Sequence, residues 1–545
     1  MGTLSGRRTP SGVGQTAPHQ GGWGASLGHR RGQAIWLLAI CLALIVTRWA
    51  LLPRYLITFD EINFALAVDR FDPRIAQPQA PGYPVFVALL KLVSLLVPRI
   101  EMVFLIAGLI VSAASLFVLL HLCERIIGPN DGIIAALLLL FNPAFWLAAL
   151  TNPVRLCFAA GAIAVALCVW LACERVSVRW FLIAAAALGL SAGARPALAL
   201  VMGPLILWAA WRMRAGRKVI ALALLCFCAA VGVWLPALVV ASGGPQQFLT
   251  LLQSYSDQQM GGTSLLFGAP LHNALQMAWE AVAWSCLGAL SWLWAVPLLK
   301  RKNGLHPDRF TTQFLAVWFF PGLLFYAIFH VGDPDHTLAI VPATCAAGAI
   351  VLAGLTRRAP RSKRALLIST CVFLNIVLFF KPISVTTKPS TYKSVQWMSD
   401  YIAGVIEGVG ALHVKRRVTV VFEENITGWR QVSYYEPDVH IIVLLQRNGS
   451  LTTRDITGKD VIERPSADGR VTLPACGILA WVDPVVRPVA GNGLAVQTMR
   501  SRVFFTPAAP GQSFEYRGVH FVSSDKACGG TGNIPSSAGV RKAGP

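Results

Sequence analysis

Apolar runs of about 20 residues, the length a helix needs to cross a lipid hydrocarbon core, recur along most of this chain. They lie near 34–52, 100–122, 132–150, 156–173, 180–194, 196–211, 219–240, 277–299, 311–330, 337–356 and 365–380, and they predict about eleven transmembrane helices. The runs 180–194 and 196–211 are short. Gly193-Ala194-Arg195-Pro196 between them reads either as a turn or as a kink in one long helix. A further apolar piece, Val85–Val97, is too short for a span and predicts a helix that lies in the interface or re-enters.

The pattern changes at both ends. Residues 1–33 are rich in Gly, Ser, Pro and Arg, lack periodicity, and predict a disordered basic tail. No small-residue cleavage site follows the run Ala34–Leu52, so that run reads as a retained anchor. After Phe380 comes a linker, beginning Lys381-Pro382-Ile383. Helical spacing follows over Tyr392–Val409, and strand patterns over Arg417–Phe422, His440–Leu445, Gly477–Val482 and Val519–Val522. The fold class expected is mainly α, a polytopic membrane protein. Its parts are a tail (1–33), a transmembrane domain (34–380) and a C-terminal α/β domain (381–545).

Composition supports lipid as part of the solvent. Of 545 residues, 55% are hydrophobic and 13% charged, with a mean hydropathy of +0.58, whereas soluble domains carry roughly 25% charged residues. The net charge of +21 is dispersed in short clusters between apolar runs, which excludes a nucleic-acid-binding patch as its cause.

The clusters Arg212/Arg214/Arg217/Lys218, Lys300/Arg301/Lys302/Arg309 and Arg357/Arg358/Arg361/Lys363/Arg364 fall on one side. Asp60, Glu61, Asp69, Asp72, Asp257, Asp333 and Asp335 fall on the other. Merging 180–211 into one span would break that asymmetry. The expectation is a multi-pass protein of the plasma (inner) membrane, with a cytoplasmic N-terminus and everything after Phe380 extracytoplasmic. Ten of the twelve cysteines lie in or beside apolar runs as packing residues, while Cys476 and Cys528 could pair in an oxidising compartment. Asn425-Ile-Thr and Asn448-Gly-Ser match the glycosylation acceptor pattern.

Acids are scarce, so the pair Asp60-Glu61 at the start of the first long outer loop calls for a reason. One is capping, because Thr58-x-x-Glu61 is a capping box. The other is catalysis, with Asp60 as a rigidly presented general base and Glu61 beside it. Capping explains Glu61 better than Asp60. Arg155, Arg195 and Lys91 break the charge asymmetry on the outer side. Each either snorkels to headgroups or binds an anion such as a phosphate.

His330-Val-Gly-Asp333-Pro-Asp335-His336 could hold a divalent ion, could simply turn the chain, or could place Asp335 and His336 against substrate. No cofactor is implied. A P-loop, a dinucleotide glycine pattern, H-E-x-x-H and G-x-S-x-G are all missing from the sequence, which argues against ATP-driven transport and ordinary hydrolases.

The order of these elements resembles the GT-C class of membrane glycosyltransferases, within it the protein O-mannosyltransferase and lipid A aminoarabinose transferase superfamily. The residues carrying the resemblance are Asp60-Glu61, then Pro81-Gly82-Tyr83-Pro84, then the short helix Val85–Val97. The resemblance implies a sugar donor on a polyprenyl or dolichyl phosphate and a protein, lipid or glycan acceptor. It implies Asp60 deprotonating the acceptor hydroxyl for inverting attack, with Arg155 or Arg195 on the leaving phosphate and Tyr83 and Lys91 near the substrate.

The sequence departs from that pattern at Gln79-Ala80, where a His or Lys often stands, and at Asp335-His336 in the late outer loop. Sugar and acceptor therefore do not carry over. The alternative is a lipid-linked saccharide flippase or another transporter. That would need a polar path through the spans, and few polar residues lie mid-span.

Overall fold

The computed structural model describes residues 23–262, 264–299, 307–329, 333–381, 391–413, 418–423, 428–447, 450–457, 460–465, 470–473, 478–481, 494–497, 502–507, 513–516 and 519–523. His330, Cys476, Cys528, Asn425, Asn448, Lys300, Arg301, Lys302 and the linker 382–390 lie outside the described residues.

The first helix, α1 (Trp23–Trp49), starts ahead of the expected Ala34, so the described part of the basic tail is helical. Once a long apolar run has nucleated a helix, each added residue costs little, and the helix extends into its polar flank. The loop that follows holds α2 (Phe59–Asp69) and α3 (Pro84–Ser94). Next come α4 (Ile100–Ile127), α5 (Gly132–Leu140) and α6 (Pro143–Thr151). The last two are bent by 52°. Pro143 lacks an N–H at the bend, and Asn142 Oδ1 accepts from the Ala144 and Phe145 amides at 3.0 and 3.3 Å.

The chain continues through α7 (Leu156–Arg175), α8 (Val178–Ala192), α9 (Ala197–Arg212), α10 (Arg217–Gly232), α11 (Leu235–Ala241) and α12 (Pro245–Met260). It then forms α13 (Leu271–Cys286), α14 (Leu290–Leu293), α15 (Val296–Leu299), α16 (Arg309–Ile328), α17 (Val341–Thr356) and α18 (Arg361–Phe380). The helices α8 and α9 are separate and both pack on α7, so Gly193–Pro196 is a connection and not a kink.

Five helices are long and apolar enough to span a membrane, six if the bent pair counts as one. The other expected spans fall on shorter helices such as Val178–Ala192, Ala197–Arg212 and Val341–Thr356, and 277–299 is divided among α13, α14 and α15. The sequence count of about eleven thus exceeds the full-length helices among the described residues. Gly288 and Pro297 lie within the divided run 277–299.

Charge is sorted along the bundle. Arg125 pairs with Glu174 at 3.1 Å, Arg364 pairs with Asp131, and Arg212 lies 5.6 Å from the Phe310 ring, all at one end. Asp60, Asp333 and Asp335 gather at the other.

At that acidic end sit α19 (Tyr392–His413) and α20 (Trp429–Tyr435) with the larger of two sheets. The strands are β1 (Val418–Glu423), β2 (His440–Arg447), β3 (Ser450–Thr457), β4 (Asp460–Pro465), β5 (Arg470–Leu473), β6 (Ile478–Trp481), β7 (Leu494–Gln497), β8 (Arg502–Pro507), β9 (Ser513–Tyr516) and β10 (Val519–Ser523). The larger sheet runs β4-β3-β2-β1-β6-β8-β7, with β1 parallel to β2 and β6. The smaller is β5-β10-β9. All four strand segments and the helix expected from sequence are present. Trp146 of α6 stacks on Phe379 of α18 at 4.3 Å, and both join a core shared with Val405, Val420 and Ile441, so the α/β region has no separate floor.

The start of α2 is set locally. Thr58 Oγ1 accepts from the Glu61 amide at 3.1 Å, and Glu61 Oε2 accepts from the amides of Thr58 (2.9 Å) and Ile57 (3.0 Å) and from the Thr58 hydroxyl (3.0 Å). Glu61 is only 3% exposed. Burial raises its carboxyl from 4.5 to about 8, although the Thr58 and Ile57 donors pull the other way. Folding therefore favours the protonated form. That contribution is complete below pH 4.5 and is lost as pH rises through about 8. Glu61→Gln, which preserves the capping acceptor, should remove this slope, so that its melting temperature relative to the native protein rises between these two values. Parallel pH profiles for the two proteins would count against it.

Candidate active site

Three separate turns bring one guanidinium among three carboxylates. Asp60 is the second residue of α2, where the capped first turn fixes its direction. Arg155 closes the 3-10 turn Pro153–Arg155 that leads into α7. Asp333 caps the 3-10 turn Pro334–Ala339 ahead of α17, and Asp335 and His336 lie within that turn. Arg155 Nη2 stands 3.5 Å from Asp60 Oδ2 and 3.5 Å from Asp333 Oδ2, and Nη1 stands 3.4 Å from Asp335 Oδ1. Asn152 Nδ2 donates to Asp60 Oδ2 at 3.0 Å. The Arg155 contacts are at the long limit for charged hydrogen bonds, leaving room to tighten around a ligand.

Burial grades the acids. Asp335 is 4% exposed, and loss of water pushes its carboxyl above the ordinary range against the pull of Arg155. The Asp60 side chain keeps 28% of its surface open.

The second cation takes a different environment. Arg195, in the link between α8 and α9, is 7% exposed. Its guanidinium lies between two rings, 4.8 Å from Tyr83 and 5.0 Å from Phe158, and Phe158 meets the His336 imidazole edge-on at 6.5 Å. Nε and Nη2 of Arg195 have no hydrogen-bond partner among the described residues.

The Pro81–Pro84 element makes this sandwich. Gly82 has φ +96°, and a Cβ there would come within 2.3 Å of Leu238 Cδ1. The leucine tip could move aside, but the backbone angle still excludes other residues. Tyr83 follows at φ 46° as the cap of α3, and the Val85 amide donates to Gly193 O at 3.2 Å. That bond docks the turn on the α8–α9 link that carries Arg195. Tyr255 of α12 brings its hydroxyl against that of Tyr83.

Of the residues expected from sequence, Asp60, Arg155, Arg195, Tyr83, Asp335 and His336 come together. Lys91 does not: it is exposed on α3, outside the cluster, because its helical position faces away from the packed side of Leu90 and Val87. Glu61, expected beside Asp60 in catalysis, is buried with its carboxylate in the capping box. The sequence pattern assigns no site role to Asn152 or Phe158, and gives Asp333 only a possible place in a divalent-ion site. Asn152 and Asp333 stand beside assigned residues in Asn152-Pro-Val-Arg155 and Asp333-Pro-Asp335, a signal that was there to use.

Asp333, Asp335 and His336 present ligand atoms within 4.8 Å of one another, a set whose oxygen and imidazole donors suit a divalent ion. Both carboxylates already face Arg155, so an ion there would share its ligands with a fixed counter-charge.

Residues 77–239 match the family model described as dolichyl-phosphate-mannose-protein mannosyltransferase. No curated relative matches the sequence. Among solved structures, ArnT from Cupriavidus metallidurans in the apo state aligns with a TM-score of 0.56 at 13% identity, covering 87% of this chain and 98% of that one. The same protein bound to undecaprenyl phosphate aligns with a TM-score of 0.53 over the same shares. The likeness to ArnT is one of fold, and it extends well beyond the residues matched by the family model.

Arg155→Met would leave Asp335 buried without its counter-charge, and a loss of about 3–5 kcal/mol of stability is expected. Adding Asp335→Asn should restore much of it, because the two sites are coupled. Additive losses in thermal unfolding of the double variant would show that they are not.

Proposed function

We propose that this protein is a membrane glycosyltransferase that moves a sugar from a polyprenyl- or dolichyl-phosphate carrier to an acceptor hydroxyl on the extracytoplasmic side, with inversion. The observation that carries this reading is the pairing of a partly open, well-anchored Asp60 with Arg195, a buried guanidinium that still has donors to offer. The ArnT-like fold supports it, one such structure being bound to undecaprenyl phosphate. The sorting of cations to the far end of the bundle supports a cytoplasmic assignment for that end and an outer position for the site.

Asp60 takes the proton of the acceptor hydroxyl, held in line by Asn152 and Arg155. The acceptor oxygen forms a bond to the anomeric carbon as the bond from that carbon to the phosphate oxygen breaks. The electron pair leaves with the lipid phosphate, whose charge Arg195 balances. Arg155 has a different part from the one expected. Surrounded by three acids, it orients Asp60 and is less free than Arg195 to bind phosphate.

In membranes supplied with polyprenyl-phosphate sugars, Asp60→Asn should lower transfer by about 10²–10⁴-fold, the usual share of a general base. Arg195→Met should raise the donor KM and also lower kcat, since the charge it balances grows as the phosphate leaves. Transfer by Asp60→Asn equal to that of the native protein would remove Asp60 as base. Movement of lipid-linked sugar across liposomes with no new glycosidic bond would replace the reading with a flippase.

A further inference from the structure

The α/β region reaches into the base of the candidate active site through one short helix. Three hydrogen bonds and one ring contact join α20 to Leu56–Asn63, the stretch around Asp60, and two more hydrogen bonds reach Ile75 and Glu101. Arg430, 2% exposed, donates Nε–H to Asn63 Oδ1 at 3.0 Å, and its Nη2 reaches Ile75 O at 3.4 Å. Gln431 Nε2 donates to Ile57 O at 3.0 Å. The Tyr435 hydroxyl accepts from the Leu56 amide at 3.0 Å and donates to Glu101 Oε1 at 2.7 Å, bracing the approach to α2 against α4. Trp429 meets Phe59, the residue before Asp60, edge-on at 5.4 Å.

These contacts fall on both sides of Asp60 and on the backbone that enters its helix. A buried guanidinium bonded to a neutral amide and a carbonyl, with no carboxylate paired to it among the described residues, is a costly way to obtain packing alone. It is directional, and both directions point into the loop that carries Asp60.

We infer that α20 is a positioning element of the active site: Arg430, Gln431 and Tyr435 hold Leu56–Asn63 so that the Asp60 carboxylate meets the acceptor hydroxyl at the right place. The catalytic half of this inference rests on the reading of Asp60 proposed above; the mechanical half does not. The donor side of the site is built from Pro81–Pro84 and the α8–α9 link, whereas the hydrogen bonds of Arg430, Gln431 and Tyr435 go to Leu56, Ile57, Asn63, Ile75 and Glu101. Loosening α20 should therefore affect turnover more than donor binding. A displacement on the order of 1 Å at a reacting group can cost about a hundredfold in rate.

The test uses the full chain in lipid nanodiscs and two variants, Arg430→Met and Tyr435→Phe. The second removes only a hydroxyl and so preserves folding. Amide hydrogen exchange over Leu56–Asn63 should accelerate by on the order of tenfold in each variant, with exchange in α17 unchanged. Sugar transfer should show kcat lowered by on the order of tenfold to a hundredfold with the donor KM held.

Unchanged exchange over Leu56–Asn63 in both variants would overturn the inference, and so would equal acceleration in α17. Faster local exchange with undiminished kcat would overturn the positioning role. Absence of transfer by the native protein would sink the proposed reaction instead, and the exchange comparison would still decide whether α20 holds the loop.

Discussion

A guanidinium buried among carboxylates is stable only if every partner stays where it is. Arg155 is 7% exposed and faces acids from two other turns, one near each end of the helical part of the chain. Removing Arg155 would leave the buried Asp335 without solvent or counter-charge, a far larger penalty than loss of an exposed pair could impose. The start of α2, the entry to α7 and the turn before α17 are therefore mutually constrained. The other features of the site occupy the space that this constraint leaves.

The two arginines divide the work by environment. Arg155 is matched by acids and supplies order. Arg195 is held by aromatic faces, which stabilise a cation without taking its hydrogen-bond donors. That difference gives the proposed phosphate contact to Arg195. It also explains why the Pro81–Pro84 turn matters: its positive φ angles and its bond to Gly193 place Tyr83 over that guanidinium.

Position 61 illustrates how one residue type can be read in two ways. Asp60 and Glu61 are neighbours, yet the helix start turns one carboxylate inward onto Thr58 and Ile57 and the other outward onto Asn152 and Arg155. Adjacent residues on a helix point about 100° apart, and this rotation separates capping from the site. The α/β region then adds a brace from the opposite side, with Arg430 on Asn63 and Tyr435 on Leu56.

The sequence alone determined the membrane character, the sites of the apolar helices, the strands after Phe380 and the capping box at Thr58, because each follows from local periodicity or a short-range spacing. It also singled out Asp60, Arg155, Arg195, Asp335 and His336, since a charge beside an apolar run is conspicuous. It predicted about eleven spans, of which five or six match helices of full spanning length among the described residues, because hydropathy does not register how an apolar run is divided between helices. It could not separate Lys91 from the arginines, because exposure on α3 depends on what the opposite face packs against. Only the tertiary structure decided that Arg155 is matched by acids while Arg195 is sandwiched by rings, and that α20 meets α2. The Arg155–Asp60 and Arg430–Asn63 contacts join positions 95 and 367 residues apart, and no local pattern encodes a distance that only the closed fold creates.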